Sequence, residues 1–463
     1  MTLAAALSRL PPPMRIPGAR GTIRSSLEKS GTKLIVIDDD PTGTQTVHGV
    51  RVYMDWSPST LTAAFRRADP VFYVSTNSRS LPEAQAAARA AELGRNLRKV
   101  SAAEAVDFVV ASRSDSTLRG HFPAEVSALV SELAAPIDAT ILVPAFFEAG
   151  RYTLNDIHWV DDGTELVAAH LTEFARDPDF GFRHSDLKEW VEEKSKGAVK
   201  ARDVISIPIR ELRLKGPAYV AEVLCKAEKG IPIVANAACY EDLDALALGV
   251  IQAESRGKRF VYRTAASFVK VRAGLEDRPL LTREKINAAG KTGLIVVGSY
   301  VTRTTRQLEA LLRSKRVQGI VLDVSHPEIE RVARDASLCL ERGATPVIFT
   351  SRARQESEDF LATGKAVMTC LCETVRRITE RPAWIIAKGG ITSIELARSA
   401  LGVEAADVMG QVIKGVPVWR LAGEGPWSDV PYIVFPGNVG DESALARVFA
   451  LLDGSRAEVK ESL

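Results

Sequence analysis

The segment Lys33-Leu-Ile-Val-Ile37, followed at once by Asp38-Asp39-Asp40-Pro41-Thr42-Gly43-Thr44-Gln45-Thr46, decides the fold. A short β-branched run that ends in a polar, turn-forming loop has the pattern of a strand buried on both faces. The pattern recurs at Val71-Phe-Tyr-Val74, Val106-Asp-Phe-Val-Val110, Thr140-Ile-Leu-Val143, Ile231-Pro-Ile-Val234 and Phe260-Val-Tyr262, each followed by an amphipathic stretch. Strands alternating with helices predict a mostly parallel sheet covered by helices. After the polar stretch 287–293 the rhythm restarts with Leu294-Ile-Val-Val297, Ile320-Val-Leu322, Pro346-Val-Ile-Phe349, Trp384-Ile-Ile386 and Tyr432-Ile-Val434.

The expected fold class is therefore α/β, with two domains that each carry a mostly parallel β-sheet flanked by helices. The length of 463 residues agrees, because single cores stop growing beyond about 250–300 residues. The expected division is an N-terminal extension over 1–32, one domain over 33–285 and another over 286–463. The extension is read as partly ordered. It carries Pro11, Pro12 and Pro13 and lacks the uninterrupted apolar core of a secretory signal.

Sixty basic against fifty-eight acidic side chains leave a net charge of +2, which gives no global field to draw nucleic acid or an anionic membrane. No apolar run approaches the ~20 residues of a membrane span, so a soluble protein is expected. Cys225, Cys239, Cys339, Cys370 and Cys372 are too scattered for a disulfide framework and fit a reduced cytoplasm. The six histidines form no HxxxH pattern, so no metal site built from protein ligands is expected.

In open parallel sheets, ligands bind where strand ends feed loops. Asp38, Asp39 and Asp40 form such a loop, and packed carboxylates raise one another's pKa toward the range useful to a general base. The triplet alone leaves open an exposed acidic turn in which one Asp caps the next element. Asn77 and Arg79 follow the Val71 strand, and Ser112-Arg-Ser-Asp115-Ser116-Thr117-Leu-Arg119-Gly120 follows the Val106 strand. Gly150 and Arg151 come after the Thr140 strand, and Arg263-Thr-Ala-Ala-Ser267 after the Phe260 strand. Arg binds a carboxylate through two parallel hydrogen bonds, and Ser, Asn and Asp suit polyol hydroxyls. The set fits an acidic, hydroxylated ligand, although Ser116 and Thr117 capping a helix and Arg119 in a surface ion pair would explain one loop alone.

The second half repeats the arrangement with glycine: Gly298-Ser299-Tyr300-Val301-Thr302-Arg303-Thr304, Lys388-Gly389-Gly390-Ile391-Thr392-Ser393-Ile394-Glu395 and Pro436-Gly437-Asn438-Val439-Gly440-Asp441. Thr392 and Glu395 have the spacing of a capping box, which predicts a helix opening there. Glycines let backbone N–H groups approach an anion, and a helix start adds partial positive charge, so these loops suit nucleotide phosphates. Neither GxxxxGK[ST] nor a GxGxxG opening the first strand-to-helix turn is present.

In order, DDDPTGTQ, STNSR, RSDSTLRG, PAFFEAGR, Arg263-Thr-Ala-Ala-Ser267, GSYVTRTTRQ, KGGITS and FPGNVGDESAL resemble the four-carbon acid sugar kinase family over about residues 33–452. The resemblance implies an N-terminal domain that binds the sugar acid and a C-terminal domain that binds ATP with Mg²⁺. Its members act on threonate, erythronate or 3-oxo-tetronate. Carried over, the paired acidic motif falls on Asp39 and Asp40, with Thr42 and Gly43 behind them, and the basic-x-Asp-Ser-Thr segment on Asp115, Ser116, Thr117, Arg119 and Gly120. The nucleotide side falls on Ser299, Gly389, Gly390, Thr392, Gly437, Asn438 and Gly440. The chain departs from the family at Pro41 (often Leu), Arg113 (often Lys), Ile391 (often Asp) and Tyr300-Val301 (a Cys-Ser pair).

The expectation is a cytoplasmic kinase of carbohydrate metabolism in which Asp39 or Asp40 deprotonates the acceptor hydroxyl. Arg79, Arg119 and Arg151 would hold the substrate carboxylate, with domain closure to exclude water. The partners expected are the sugar acid and ATP, with no nucleic acid or membrane, and a homodimer is left open. Two rivals are kept: a haloacid dehalogenase-like phosphatase using Asp38 and Asp40 in a DxDxT pattern, and a non-catalytic sugar-acid-binding protein. Residues 161–215 carry no interpretable motif.

Overall fold

The computed structural model describes residues 1–40, 42–351 and 360–455; Pro41, one of the departures noted above, lies outside them. The chain forms two compact units, Met1–Gly43 with Asp55–Asp277, and Thr44–Met54 with Arg278–Leu463. Within the acidic loop, then, Asp38 to Gly43 belong to the first unit, and the next eleven residues belong to the second.

The first unit is built on seven parallel strands in the order Val71–Ser75, Lys33–Asp38, Phe108–Arg113, Phe260–Thr264, Ala139–Val143, Ile231–Ala235 and Ile205–Ile207. The strands at Lys33, Val71, Ala139 and Phe260 are buried along their whole length, which is why they read as continuous apolar runs. The chain leaves Lys33–Asp38 toward Val71–Ser75 on one side and later returns to Phe108–Arg113 on the other. The sheet order therefore reverses between those two carboxyl ends, where the reversal opens a crevice.

The strand expected from Val106 begins at Phe108 instead. Residues before it finish the helix Glu83–Glu104, with Ala105 left-handed at φ 53° and the Val106 N–H closing on the Ser101 carbonyl at 3.2 Å. The consequence is that Ser112 and Arg113 belong to the strand and lie alongside Ile37 and Asp38. A small antiparallel sheet, Arg151–Leu154, Ile157–Asp161 and Leu166–Ala168, stands beside the main one.

The opening residues, read above as a partly ordered extension, form the helices Leu3–Leu7 and Ala19–Ser30, with Ile23 and Leu27 fully buried. They are tied down by Arg213, whose guanidinium donates to the Pro11 carbonyl at 2.9 Å and to both carboxylate oxygens of the buried Asp242 at 2.8 and 2.9 Å.

The second unit orders its strands Val317–Leu322, Thr345–Thr350, Leu294–Val297, Ile385–Lys388, Pro431–Phe435, Val416–Ala422, Ala405–Ile413 and Val50–Tyr53. The first five are parallel, and the last three join antiparallel. Val50–Tyr53 is anchored by Arg51 to Asp407 at 2.7 and 2.5 Å, and Thr44 accepts from the Trp419 indole at 2.9 Å. Here the order reverses between Leu294–Val297 and Ile385–Lys388.

Removing one member of a fully buried ion pair leaves the other uncompensated, at a cost of about 3–5 kcal/mol. Asp242→Ala should therefore lower the stability of the first unit by that amount in urea unfolding followed by tryptophan fluorescence. A change below about 1 kcal/mol would contradict the role given to the Arg213 pair.

Candidate active site

At the first reversal point, three carboxylates meet two arginines, Arg79 and Arg113. Asp38, the last residue of its strand, is 1% exposed and takes an Arg113 N–H at 3.2 Å. Burial pushes its carboxyl up to about 7, Arg113 opposing the shift and Asp39 and Asp40 adding to it. Gly43 packs directly on it: a Cβ there would fall 1.7 Å from Asp38 Oδ2, so no other residue fits.

Asp39 is also buried, and receives Arg79 Nη2 at 2.5 Å, Arg79 Nε at 3.3 Å and the Ser114 hydroxyl. Asp40 has the most exposed side chain of the three, at 24%. It accepts the Thr42 N–H at 2.7 Å, the Thr42 hydroxyl at 2.6 Å and Arg79 Nη1 at 2.9 Å. Burial alone would raise Asp40, but Arg79, Arg113 and Thr42 outweigh it and hold the carboxyl below its ordinary range.

Two expectations change here. The acidic turn is not an exposed one, and the raised carboxylate is Asp38, whereas Asp40 is kept ionised. A nucleophilic Asp38 is disfavoured too, because it is enclosed by Gly43 and Arg113. Arg79, expected to hold a ligand carboxylate, is committed to Asp39 and Asp40 from the short turn Ser78–Ser80, which opens on the left-handed Asn77.

The loop after Phe108–Arg113 folds around Asp115, which accepts Arg119 Nε at 2.7 Å and the Thr117 hydroxyl. Against the burial penalty, Arg79 and Arg119 hold Asp115 well below the usual carboxylate range. Ser116 and Thr117 cap no helix; the next one begins at Ala124. Gly120, at φ 118°, lets Ser114, Arg263 and Asp39 close together where a Cβ would meet all three within 3.0 Å. Gly150, at φ 72°, turns the chain into the strand that carries Arg151.

Arg119 and Arg151 both lie over the ring of Phe174, at 5.2 and 5.5 Å, and Arg119 also reaches Asp177 at 3.4 Å. Among the described residues, neither Arg151 nor Arg263 has a carboxylate within ion-pair distance, and the buried Arg151 Nε has no hydrogen-bond partner. Arg263 is 7% exposed, donates to Ser112 at 3.1 Å, and lines a small cavity with Asp115, Leu118, Arg119 and Thr264. Burial lowers the pKa of both guanidiniums, each only partly offset by acidic groups nearby.

The motifs pointed to none of Phe174, Asp177 or His158. Phe174 and Asp177 sit in the segment 161–215, where no pattern marks them. His158, buried and pushed down to about 4 by burial, bonds the Ser116 carbonyl at 2.7 Å and Thr153 at 3.0 Å, and so fixes the Asp115 loop from behind.

At the reversal point of the second unit, the three glycine-bearing loops meet. The Gly389 N–H reaches the Phe435 carbonyl at 2.8 Å, and the Thr304 hydroxyl reaches Ser299 Oγ at 3.3 Å and the Gly437 carbonyl at 3.1 Å. Gly389 has φ 127°, and a Cβ there would sit 2.8 Å from Thr392 Oγ1 and 3.2 Å from the Ser299 Cβ. A Cβ on Gly437 would sit 3.1 Å from Ser299 Oγ, and one on Gly440 2.4 Å from Ala444. Asn438 accepts from Arg303 at 2.8 Å through its carbonyl. Ser299, Gly389, Gly390, Thr392, Gly437, Asn438 and Gly440 thus share one place. The capping box does not form: the helix Gly390–Glu395 opens on Gly389, and Thr392 lies inside it.

The sequence matches a family model for a sugar-binding N-terminal domain over residues 34–272 and one for a nucleotide-binding C-terminal domain over 294–445. The chain belongs to the four-carbon acid sugar kinase family. It is 26% identical over 412 residues, 84% of this chain and 92% of the relative, to a 3-oxo-tetronate kinase of Methylobacterium radiotolerans. Its fold is similar to that of Haemophilus influenzae protein HI1011 (TM-score 0.63, 18% identity, 91% of this chain and 99% of that one). A Salmonella typhimurium LT2 protein is alike to the same degree (TM-score 0.64, 19% identity, 90% and 98%). As a family member, the protein is a sugar-acid kinase by class. Among the described residues, no group of three or more His, Cys, Asp or Glu is placed to hold a metal, and no helix is long and apolar enough to cross a membrane.

The Asp38 carboxyl also predicts a pH response. Folding raises it from 3.8 to about 7, so the folded state binds this proton more tightly than the unfolded chain. The stability it contributes is full below the unfolded value and is lost as pH rises through the folded one. Asp38→Asn should flatten the decline in urea midpoint between about pH 4 and 7. An unchanged slope would show that another group titrates there.

Proposed function

We propose that the protein is an ATP-dependent kinase that phosphorylates a hydroxyl of a small sugar acid of the threonate, erythronate or 3-oxo-tetronate type, in the cytoplasm. The observation that carries the reading is the charge balance of the first unit. Among the described residues, Arg151 and Arg263 have no carboxylate within ion-pair distance, while Asp40 stands ionised with the most exposed side chain of the acidic triplet. A ligand carboxylate would supply the missing anion, held by Arg151 with Arg119 and Arg263. The hydroxyl-bearing and polar groups of Thr42, Asn77, Asp115 and Ser116 suit the rest of a polyol chain.

In the reaction, the substrate hydroxyl gives its proton to Asp40 as its oxygen bonds to the γ-phosphorus of Mg·ATP. The bond from that phosphorus to the β–γ bridging oxygen breaks and ADP leaves. Phosphoryl transfer has a loose transition state and asks chiefly for alignment and charge neutralisation, so an ionised Asp of low pKa suffices. Asp39 holds Arg79, which in turn fixes the Asp40 carboxylate. The glycine-rich loops of the second unit would receive the phosphates, with Mg²⁺ arriving as part of the nucleotide. The relative that is a 3-oxo-tetronate kinase supports this substrate class.

The test incubates the pure protein with Mg·ATP and a panel of C4 to C6 sugar acids and measures ADP release. Release with at least one four-carbon acid is expected, and phosphomonoester hydrolysis without ATP would favour the phosphatase reading instead. Asp40→Asn should lower kcat by roughly 10²–10⁴-fold while ATP affinity stays within about twofold. A fully active variant would remove Asp40 from the chemistry.

A further inference from the structure

Lys388 ends the strand Ile385–Lys388 immediately before Gly389 and is fully buried. A buried ammonium is costly unless an opposite charge compensates it, yet among the described residues no carboxylate pairs with it. Its Nζ donates to the Pro436 carbonyl at 2.6 Å and the Gly437 carbonyl at 3.1 Å, and lies 4.3 Å from the centre of the Phe435 ring. The charged group whose field reaches it is another cation, Arg303 of the helix Thr302–Leu312, which holds the next carbonyl, that of Asn438, at 2.8 Å. Burial first, and then Arg303, push the ammonium down to about 7.

Three successive carbonyls, 436 to 438, are thus gripped by two cations. In a planar trans peptide the N–H points opposite to the C=O, so the N–H groups of Gly437, Asn438 and Val439 face away from the cations that hold the carbonyls. Among the described residues, none of these three N–H groups donates to an acceptor. Successive N–H groups turned to one side form a concavity for an anion.

We propose that Lys388 is a positioning residue for the nucleotide phosphates: it ties the turn down by its carbonyls, presents the 437–439 amides as an anion nest, and has its buried charge completed by the phosphate. The proposal rests on the assignment of the second unit to ATP and names the residue that shapes that pocket. Phosphate near the nest favours the charged form of Lys388, so nucleotide binding draws a proton onto it.

Calorimetric titration of the full chain with Mg·ATP, in two buffers of unlike ionisation heat about one pH unit above the Lys388 value, reads this proton directly. The wild type is expected to take up a fraction of a proton per nucleotide bound. Lys388→Met should take up none and bind at least about tenfold more weakly, the loss expected for a charge-assisted contact. Wild-type binding without proton uptake, or Lys388→Met binding with wild-type affinity, would overturn the role of Lys388 and leave the nucleotide assignment standing. A wild type that binds no Mg·ATP would overturn both.

Discussion

The guanidinium of Arg79, shared between Asp39 and Asp40, is the interaction on which the first unit's site depends. Three consecutive carboxylates at the end of a buried strand repel one another and lose hydration, and without compensation the loop would protonate or unfold. Arg79 and Arg113 supply that compensation unequally. Asp40 receives two hydrogen bonds from Thr42 as well as Arg79 and stays charged, while Asp38, deeper and with a single Arg113 contact, is the one that gains a proton easily. One run of identical side chains is thereby divided into an accessible anion, an anchor for Arg79 and a buried, proton-binding residue.

Positive charge shows the converse. Arg79, Arg113 and Arg119 have carboxylate partners, whereas among the described residues Arg151 and Arg263 in the first unit and Lys388 in the second do not. A fold does not leave buried cations uncompensated for stability's sake, since each lowers it. Lys388 ends a strand where the order of the second unit reverses, the place at which a parallel sheet opens a crevice for ligands, and Arg263 lines a cavity with Asp115 of the loop that follows Phe108–Arg113.

Much of this was legible in the chain. Continuous β-branched runs such as Leu294–Val297 read as buried parallel strands because burial on both faces leaves no room for polar alternation, and the polar and glycine-rich residues quoted from the sequence do fall in the loops at their carboxyl ends. What was not legible depends on contacts between distant segments. Phe174 becomes meaningful only when folding lays Arg119 and Arg151 over it, and the burial of Lys388 only when the turn after Phe435 closes above it. The Val106 strand was misplaced by two residues because a helix cap used residues whose composition suits a strand. The Thr392 capping box failed because Gly389, at a φ that only glycine tolerates well, starts the helix without a side-chain cap.

The central proposal is that the first unit selects an anion because two of its guanidiniums, Arg151 and Arg263, have no carboxylate partner among the described residues. The most direct measurement compares calorimetric binding of a four-carbon sugar acid with that of the uncharged four-carbon polyol, for the wild type and Arg151→Gln. The account predicts that the acid binds, the polyol does not bind measurably, and Arg151→Gln loses most of the difference. Equal binding of acid and polyol, or selectivity for the acid left intact in Arg151→Gln, would contradict it.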